Sequence, residues 1–448
     1  MSVYSSDEFA HRFAEIHPPL ETQAALAEAD RCLYCFDAPC SAACPTHIDV
    51  PRFIKKIASA NLHGSAQTIL DANILGSSCA RVCPVDVLCE GACVLHRYNQ
   101  QPIQIGRLQR HAMDHFYSRG ATAPFALAPA KSGKIACIGA GPASLACAAE
   151  LRKRGFAVTI FESRELPGGL NTYGIAEYKL RPADSLREVE LVKSMGVEFR
   201  FGVSVGGGVA LEALDREYAA IFIAVGLGPP EPLRIAGENI EGVVDALRFI
   251  ADYKTERTIP VGRRVLVIGG GNTAIDAANA AKRLGAEQVG LIYRRSEREM
   301  PAFQFEFENS KLEGVGFYFQ NQPLAVRASS STPPRVEALE CARVELGPPD
   351  ESGRRRPKIV EGSNFLIPCD MVILATGQSR FLDFLSRVRD IKLRDGNVVV
   401  NAETGATSNP RYFAGGDCVN GGREVVDAVA EGKRAGIGIA NWLEAKHG

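Results

Sequence analysis

Cys32-x2-Cys35-x4-Cys40-x3-Cys44-Pro45, followed by Cys79-x3-Cys83-Pro84-x4-Cys89-x3-Cys93, holds eight of the chain's thirteen cysteines. Thiolates at such short spacings can converge on a soft metal centre, and eight suffice for two four-ligand centres. A cysteine before proline is the ferredoxin-like arrangement in which one ligand serves the other cluster of a pair. From spacing alone we expect two 4Fe-4S clusters with interleaved ligands and Cys79 among the eight. A disulfide scaffold would need an oxidising compartment, and the start, Met1 to Ala10, carries neither a basic nor an apolar leader region. Structural zinc favours two separated Cys-x2-Cys pairs, and only Cys32/Cys35 has that form.

Helix formers and Phe9, Phe13 and Ile16 at helical spacing predict helix over residues 1 to about 30. Asp49 is placed to cap a helix with Pro51 in its first turn, and another helix is expected over Gly64–Asn73. The cysteine segment thus reads as a small helical domain stapled by metal. Residues 120–132 form a Pro/Ala linker.

Beyond it the pattern changes. Lys134–Ile138 reads as a buried strand, Gly139-Ala140-Gly141-Pro142-Ala143-Ser144 as a phosphate-binding turn, and Leu145–Arg154 as a helix. The next strand, Val158–Glu162, ends in an acid 18 residues after Ser144. Strand, glycine turn, helix and terminal acid stand where a dinucleotide fold requires them. Glu162 suits a ribose diol. The device recurs: Arg264–Ile268 leads into Gly269-Gly270-Gly271-Asn272-Thr273-Ala274, and the following strand ends at Tyr293 before Arg294 and Arg295. Arginine at the acid's place accommodates a 2′-phosphate, and Arg298 lies nearby, so NADPH is expected over NADH.

Two such turns about 130 residues apart suggest an FAD domain interrupted by an NAD(P) domain. The near-repeats Ala219–Gly226 and Asp370–Gly377, with Ala375, Thr376 and Gly377 at the cofactor, would mark the crossings. Gly416 and Asp417 follow a late strand, and Asp417 suits ribityl hydroxyls. The expected class is α/β: a helical Fe-S domain (1–125), an FAD domain in two parts (131–242 and 370–448) and an inserted NAD(P)H domain (243–369). Residues 327–357 read as hairpin loops of a β-meander, with Arg354–Arg356 as a solvated tip. Cys137 and Cys147 read as core residues; Cys341, Cys369 and Cys418 stand alone.

At 448 residues, 46% hydrophobic and 23% charged with net charge −1, the composition is that of an ordinary globular protein. It gives no reason to expect nucleic acid or a membrane, and a thiol-rich chain without a leader points to the cytoplasm. Metalloprotease, hydrolase and Walker motifs are absent.

Over nearly its whole length the chain resembles the pyridine-nucleotide-oxidising subunit of bacterial dihydropyrimidine dehydrogenase. It is also similar to the small subunit of bacterial glutamate synthase. The residues carrying the match are Arg31–Pro45, Cys79–Pro84, Leu88–Cys93, Ile105–Gln109, Gly168-Gly169-Leu170 and Gly174–Pro182. The resemblance implies one cluster on Cys32, Cys35, Cys40 and Cys93, and a second on Cys44, Cys83, Cys89 and Gln109, with Cys79 spare. It adds Val82, Gly169, Leu170, Lys179 and Val205 to the cofactor-binding set. It implies NAD(P)H oxidation through FAD, with single electrons leaving through the clusters to an FMN-containing partner that reduces uracil or thymine. Tyr293-Arg294-Arg295 before Met300-Pro301 is closer to the NADPH-using glutamate synthase subunit, which gives the alternative reading of an electron-input module of that type. A zinc-stapled nucleotide-binding scaffold is the reading of another class.

Overall fold

The computed structural model describes residues 4–120, 122–256, 259–350, 353 and 355–447. The chain opens with α1 (Ser6–Arg12), whose start is fixed by a capping box between Ser5 and Glu8. The helical stretch expected over residues 1 to about 30 is two helices: α1 stops at Phe13, and α2 (Thr22–Asp30) begins only after Pro18-Pro19. Proline lacks the N–H a continuing helix needs and keeps its predecessor extended. Then come α3 (Pro39–Ala43), α4 (Val50–Ala58), α5 (Leu62–Ala72), α6 (Gly76–Val82) and α7 (Ile105–Ser118). In α4, Asp49 accepts from the Arg52 N–H, as its position before Pro51 predicts.

From Lys134 the chain alternates strand and helix: β1 (Lys134–Ile138), α8 (Pro142–Lys153), β2 (Ala157–Phe161), α9 (Leu170–Tyr173), α10 (Pro182–Ser194), β3 (Glu198–Arg200), α11 (Leu211–Glu217) and β4 (Ala220–Ile223). Next are β5 (Val243–Asp245), α12 (Ala246–Glu256), β6 (Arg264–Ile268), α13 (Asn272–Arg283), β7 (Gln288–Tyr293), α14 (Gln304–Leu312) and β8 (Gly316–Phe319). A meander follows: β9 (Asn321–Ala328), β10 (Val336–Pro349), β11 (Arg355–Ile359) and β12 (Phe365–Pro368). The chain ends with β13 (Met371–Leu374), α15 (Leu382–Leu385), the hairpin β14 (Leu393–Arg394) and β15 (Asn397–Val398), then β16 (Tyr412–Ala414), α16 (Asp417–Asn420) and α17 (Val425–His447).

These elements form two compact units. The first comprises Ile16–Thr172, Lys179–Gly228 and Arg380–Gly448. Its parallel sheet runs β16-β4-β1-β2-β3, with a near-continuous apolar register such as Ile135–Ala220 and Cys137–Phe222, as expected of strands covered on both faces. Within this unit the cysteine helices share a core with the dinucleotide fold. Ile54, Leu108 and Met113 share one core with Leu145, Val189 and Ile439, and the Lys433 ammonium donates to the carbonyls of Asp71 and Ala72. α17 crosses α8 at backbone contact. A Cβ on Gly432 would lie 2.0 Å from the Ala143 carbonyl oxygen, and one on Gly436 2.9 Å from that of Cys147. The linker lies along α8: Ala128 N–H donates to Lys153 O, and Lys131 N–H to Gly155 O.

The second unit comprises Met1–Glu15, Tyr173–Tyr178 and Pro229–Ser379. Its parallel sheet runs β5-β13-β6-β7-β8, and β10 pairs antiparallel with β9, β11 and β12. The unit reaches out to Pro229 and Ser379 because the two crossing segments pair with each other. Glu231 N–H donates to Gly377 O and Ser379 N–H to Pro229 O, both at 2.9 Å. The first fifteen residues belong here rather than with the cysteines. Phe9 stacks on Phe13 and Phe13 on Tyr253, while the Tyr4 hydroxyl donates to Leu284 O and the Arg283 guanidinium to Ala14 O. Tyr173–Tyr178 is held by Asp276, which accepts from Ala176 N–H and the Tyr178 hydroxyl, and by the buried Lys254, which donates to Ile175 O. Arg355 and Arg356 lie in β11, not at a free tip, and Arg355 Nε donates to Gly347 O; Arg354 lies outside the described residues. Cys341 and Cys369 do not stand alone but share one buried cluster. Among the described residues no helix is long and apolar enough to cross a membrane.

Candidate functional site

The two glycine turns are built alike. Gly139 and Gly269 leave β1 and β6 so close to the neighbouring chain that an added Cβ would sit 2.5 Å from a carbonyl oxygen, of Ala224 and Ala375 respectively. Only glycine fits there. Gly141 and Gly271 are the N-caps of α8 and α13. Neither helix has a side-chain cap, and an added Cβ at either would meet nothing within 4 Å. Each helix therefore presents uncapped first-turn N–H groups and its positive dipole end to open space, the form of a phosphate site.

At the first turn, Gly168 N–H donates to Ala140 O, and Gly169 (φ +57) lies with its Cβ position 3.0 Å from Gly141 Cα. Leu170 follows at the start of α9. Ser144 Oγ is buried with no protein hydrogen-bond partner among the described residues, so the cradle fits a ligand that supplies one. Glu162 is held beside the loop: its carboxylate accepts from the N–H groups of Ala140 and Arg164, each at 2.8 Å. The ribose contact expected of it would use lone pairs beyond these two. Pro142 and Ala143 form the first turn of α8. Asp417 follows Gly416 (φ +77) at the end of β16; burial and the neighbouring Glu431 push its carboxyl up to about 6, against the lowering effect of the Arg423 N–H that donates to it. Glu431 accepts from Gly416 N–H at 2.7 Å and so fixes this corner. No motif in the sequence singles out Glu431.

Among residues added by resemblance, Val205 is buried in the core behind this sheet, Lys179 is half-buried and faces Glu424, and Val82 closes α6 beside Cys83. Ala375, Thr376 and Gly377 fall in the second unit. There Ala375 closes over Gly269, the Thr376 hydroxyl donates to Glu231 O, and Gly377 O accepts from Glu231 N–H.

At the second turn a Cβ on Gly270 would strike the Tyr293 ring, and Asn272 Oδ1 accepts from Phe303 N–H; Thr273 lies in the first turn of α13. Arg294 and Arg298 are exposed beyond β7. Arg295 is turned to the meander instead, donating to Arg355 O.

The cysteines fall into two groups. Cys32, Cys35, Cys40 and Cys93 line one hollow with Leu33, Ile54 and Ile105. Left-handed residues at Tyr34 and Ala38 bend the loop around it. Burial pushes the Cys40 thiol up to about 11, with Cys32 and Cys93 adding to the rise, and the Cys32 thiol is raised in the same way. Thiols raised like Cys32 and Cys40 are drawn to ionise by a metal's charge. In the second group the Cys83 thiol is raised by its hydrogen bond with Cys79, by burial, and by Cys89 and Cys44. Gln109 on α7 is buried and donates from Nε2 to Gly76 O at 2.7 Å, which leaves its amide oxygen as the donor for a metal. Among the described residues no three His, Cys, Asp or Glu side chains are drawn in closely enough for a single metal ion.

Residues 133–432 match the family model of pyridine nucleotide-disulphide oxidoreductases. The chain belongs to this family. Ahead of the oxidoreductase part, residues 9–121 match the model described as dihydropyrimidine dehydrogenase domain II, 4Fe-4S cluster. The glutamate synthase (NADPH) small chain of Escherichia coli (strain K12) is 36% identical across 96% of this chain and 94% of its own. The NADP(+)-dependent formate dehydrogenase subunit beta of Moorella thermoacetica is 39% identical across 91% of this chain and 60% of its own. Among solved structures, Mycobacterium tuberculosis FprA in complex with NADPH shares the fold: TM-score 0.58, 20% identity, 71% of this chain and 86% of that one. This family member is thus an oxidoreductase that joins a 4Fe-4S domain to an FAD- and NADPH-binding domain. Those two relatives are named as subunits of larger oxidoreductases.

Proposed function

We propose that this oxidoreductase is an NADPH-oxidising electron-input module of the glutamate synthase small-chain type, which passes electrons to a separate catalytic subunit. The observation that carries the reading is the pair of uncapped helix starts at Gly141 and Gly271, in one chain with two cysteine groups. The first would hold FAD, through Gly139–Ser144, Glu162, Gly169, Leu170, Gly416 and Asp417. The second would hold NADPH, through Gly270–Thr273 with Arg294 and Arg298 on the 2′-phosphate. Cys32, Cys35, Cys40 and Cys93 would carry one cluster; Cys44, Cys83, Cys89 and Gln109 the other.

FAD, when bound, exchanges a two-electron hydride for single electrons, which is what clusters accept. The chain itself supplies orientation and charge. Helix ends meet pyrophosphates, and the carboxylates of Glu162 and Asp417 accept hydroxyl hydrogens. No side chain need act as general acid or base.

The partner's chemistry divides two readings. The full-length similarity to glutamate synthase small chains supports an amidotransferase synthase partner. The match of residues 9–121 supports a pyrimidine-reducing FMN partner. Anaerobic protein should be brown, contain acid-labile sulfide and bleach on NADPH; colourless protein that ignores NADPH overturns the proposal. Copurification from the native cell identifies the partner. Arg294→Glu combined with Arg298→Glu should raise the KM for NADPH by about 100-fold or more and leave that for NADH nearly unchanged, since charge-assisted bonds to phosphate contribute roughly 1.5–3 kcal/mol each. Equal loss with both nucleotides would remove these arginines from the 2′-phosphate.

A further inference from the structure

Glu188 on α10 is 1% exposed, and no sequence motif marks it. Its Oε1 accepts from the N–H groups of Ser77 (2.7 Å) and Ser78 (3.0 Å), and its Oε2 accepts from the Ser78 hydroxyl. All three donors sit at the start of α6, the helix that leads to Val82 and Cys83 and whose Gly76 carbonyl holds Gln109. One turn earlier on α10, Ser185 hydrogen-bonds Thr172 at 2.9 Å, just after the Gly168-Gly169-Leu170 turn. A buried carboxylate therefore stands between the flavin-side turn and the helix of the second cysteine group.

The charged and titratable groups around it are few. From α6 comes Arg81, which donates to Ser77 O and to Asp114 and lies 3.7 Å from Asp184. From α7 comes Tyr117, whose buried hydroxyl has no hydrogen-bond partner among the described residues. α10 itself contributes Asp184 and Arg187, which pair with each other. The hydrogen bonds Glu188 accepts come from neutral donors. Burial pushes its carboxyl up to about 7, against the lowering effect of those bonds and of Arg81.

We propose that Glu188 takes up a proton when the cluster carried next to α6 gains an electron, so that charge of both signs arrives together. The proposal rests on the electron-input reading above. The balance is internal to it. A hydride from NADPH comprises two electrons and one proton; one electron reduces this cluster by one unit, the other passes to the other cluster, and the proton neutralises the Glu188 carboxylate. An added negative charge nearby raises the proton affinity of a carboxylate. By reciprocity the protonated acid makes the cluster easier to reduce.

The test is a potentiometric titration of the holoprotein followed by electron paramagnetic resonance from pH 6 to 9. The potential of one cluster should fall as pH rises, by at most tenfold in equilibrium constant per pH unit, or 59 mV for one electron. In Glu188→Gln, which keeps the shape, that slope should vanish while the other cluster is unaffected. The reduced-minus-oxidised infrared difference spectrum of the unmutated protein should gain a protonated carboxyl band that Glu188→Gln lacks. Two clusters with potentials indifferent to pH, no such band, or a slope that survives in Glu188→Gln would overturn the proposal. Protein without iron would instead overturn the parent reading.

Discussion

Gly271→Asp is expected to abolish bleaching by NADPH while the protein keeps its iron, its yellow chromophore and its thermal stability. Gly271 has φ −91° and ψ 177°, a conformation open to any residue, and a Cβ there meets nothing within 4 Å. The fold has no reason to resist. Aspartate is also a preferred N-cap: its carboxylate would accept from first-turn N–H groups of α13, which no side chain among the described residues caps. It would thereby occupy the donors that the pyrophosphate needs and set a negative charge beside it. Loss of those hydrogen bonds plus like-charge repulsion should weaken NADPH by more than about a hundredfold, or roughly 3 kcal/mol or more. Gly271→Ala adds bulk without charge and should cost far less. The same change at Gly141 should release FAD instead, because that turn is built on the same plan in the other unit. Rapid-mixing absorbance of the flavin band with NADPH checks the first, and flavin retained on gel filtration checks the second. Unchanged bleaching by Gly271→Asp would remove this turn from nucleotide binding.

What the sequence disclosed follows from what is local. A strand of Val and Ile, a run of glycines and a helix start lie within ten residues, so both turns were legible; the carbonyls of Ala224 and Ala375 that crowd Gly139 and Gly269 were not. Cysteine spacing likewise identified the cluster domain, since ligands must converge. Long-range partners left no such trace. Phe9 and Phe13 read as the apolar face of a helix, but Phe13's partner Tyr253 lies some 240 residues on. Tyr173–Tyr178 looks like part of the flavin segment and is anchored by Asp276 a hundred residues away. Glu188 and Glu431 are ordinary helix glutamates until folding brings Ser78 and Gly416 against them. Arg295 is indistinguishable from Arg294 by sequence; only the path of β11 gives its Nε a partner in the Arg355 carbonyl.

Gln109→Ala should strip or shift one cluster, with loss of roughly half the iron, as expected when a neutral side chain that cannot coordinate replaces one of four ligands. Cys79→Ser should leave iron and reduced-state spectra intact. Spacing alone assigned Cys79 as the eighth ligand, and family resemblance assigned Gln109. Both lie at α6: Cys79 is hydrogen-bonded to Cys83, and Gln109 is tied to Gly76. Physical chemistry separates the two choices by charge. With an amide oxygen as fourth donor the cluster is one unit less negative, so its potential lies higher, other factors being equal. Gln109→Cys should then keep the full iron content but lower the potential of that cluster alone, an effect no purely structural role of Gln109 would produce. If Cys79 is the ligand, the pattern reverses: Cys79→Ser loses iron, Gln109→Ala keeps it, and Gln109→Cys leaves both potentials where they were. Iron and sulfide analysis with reduced-state spectra of the three variants decides between them.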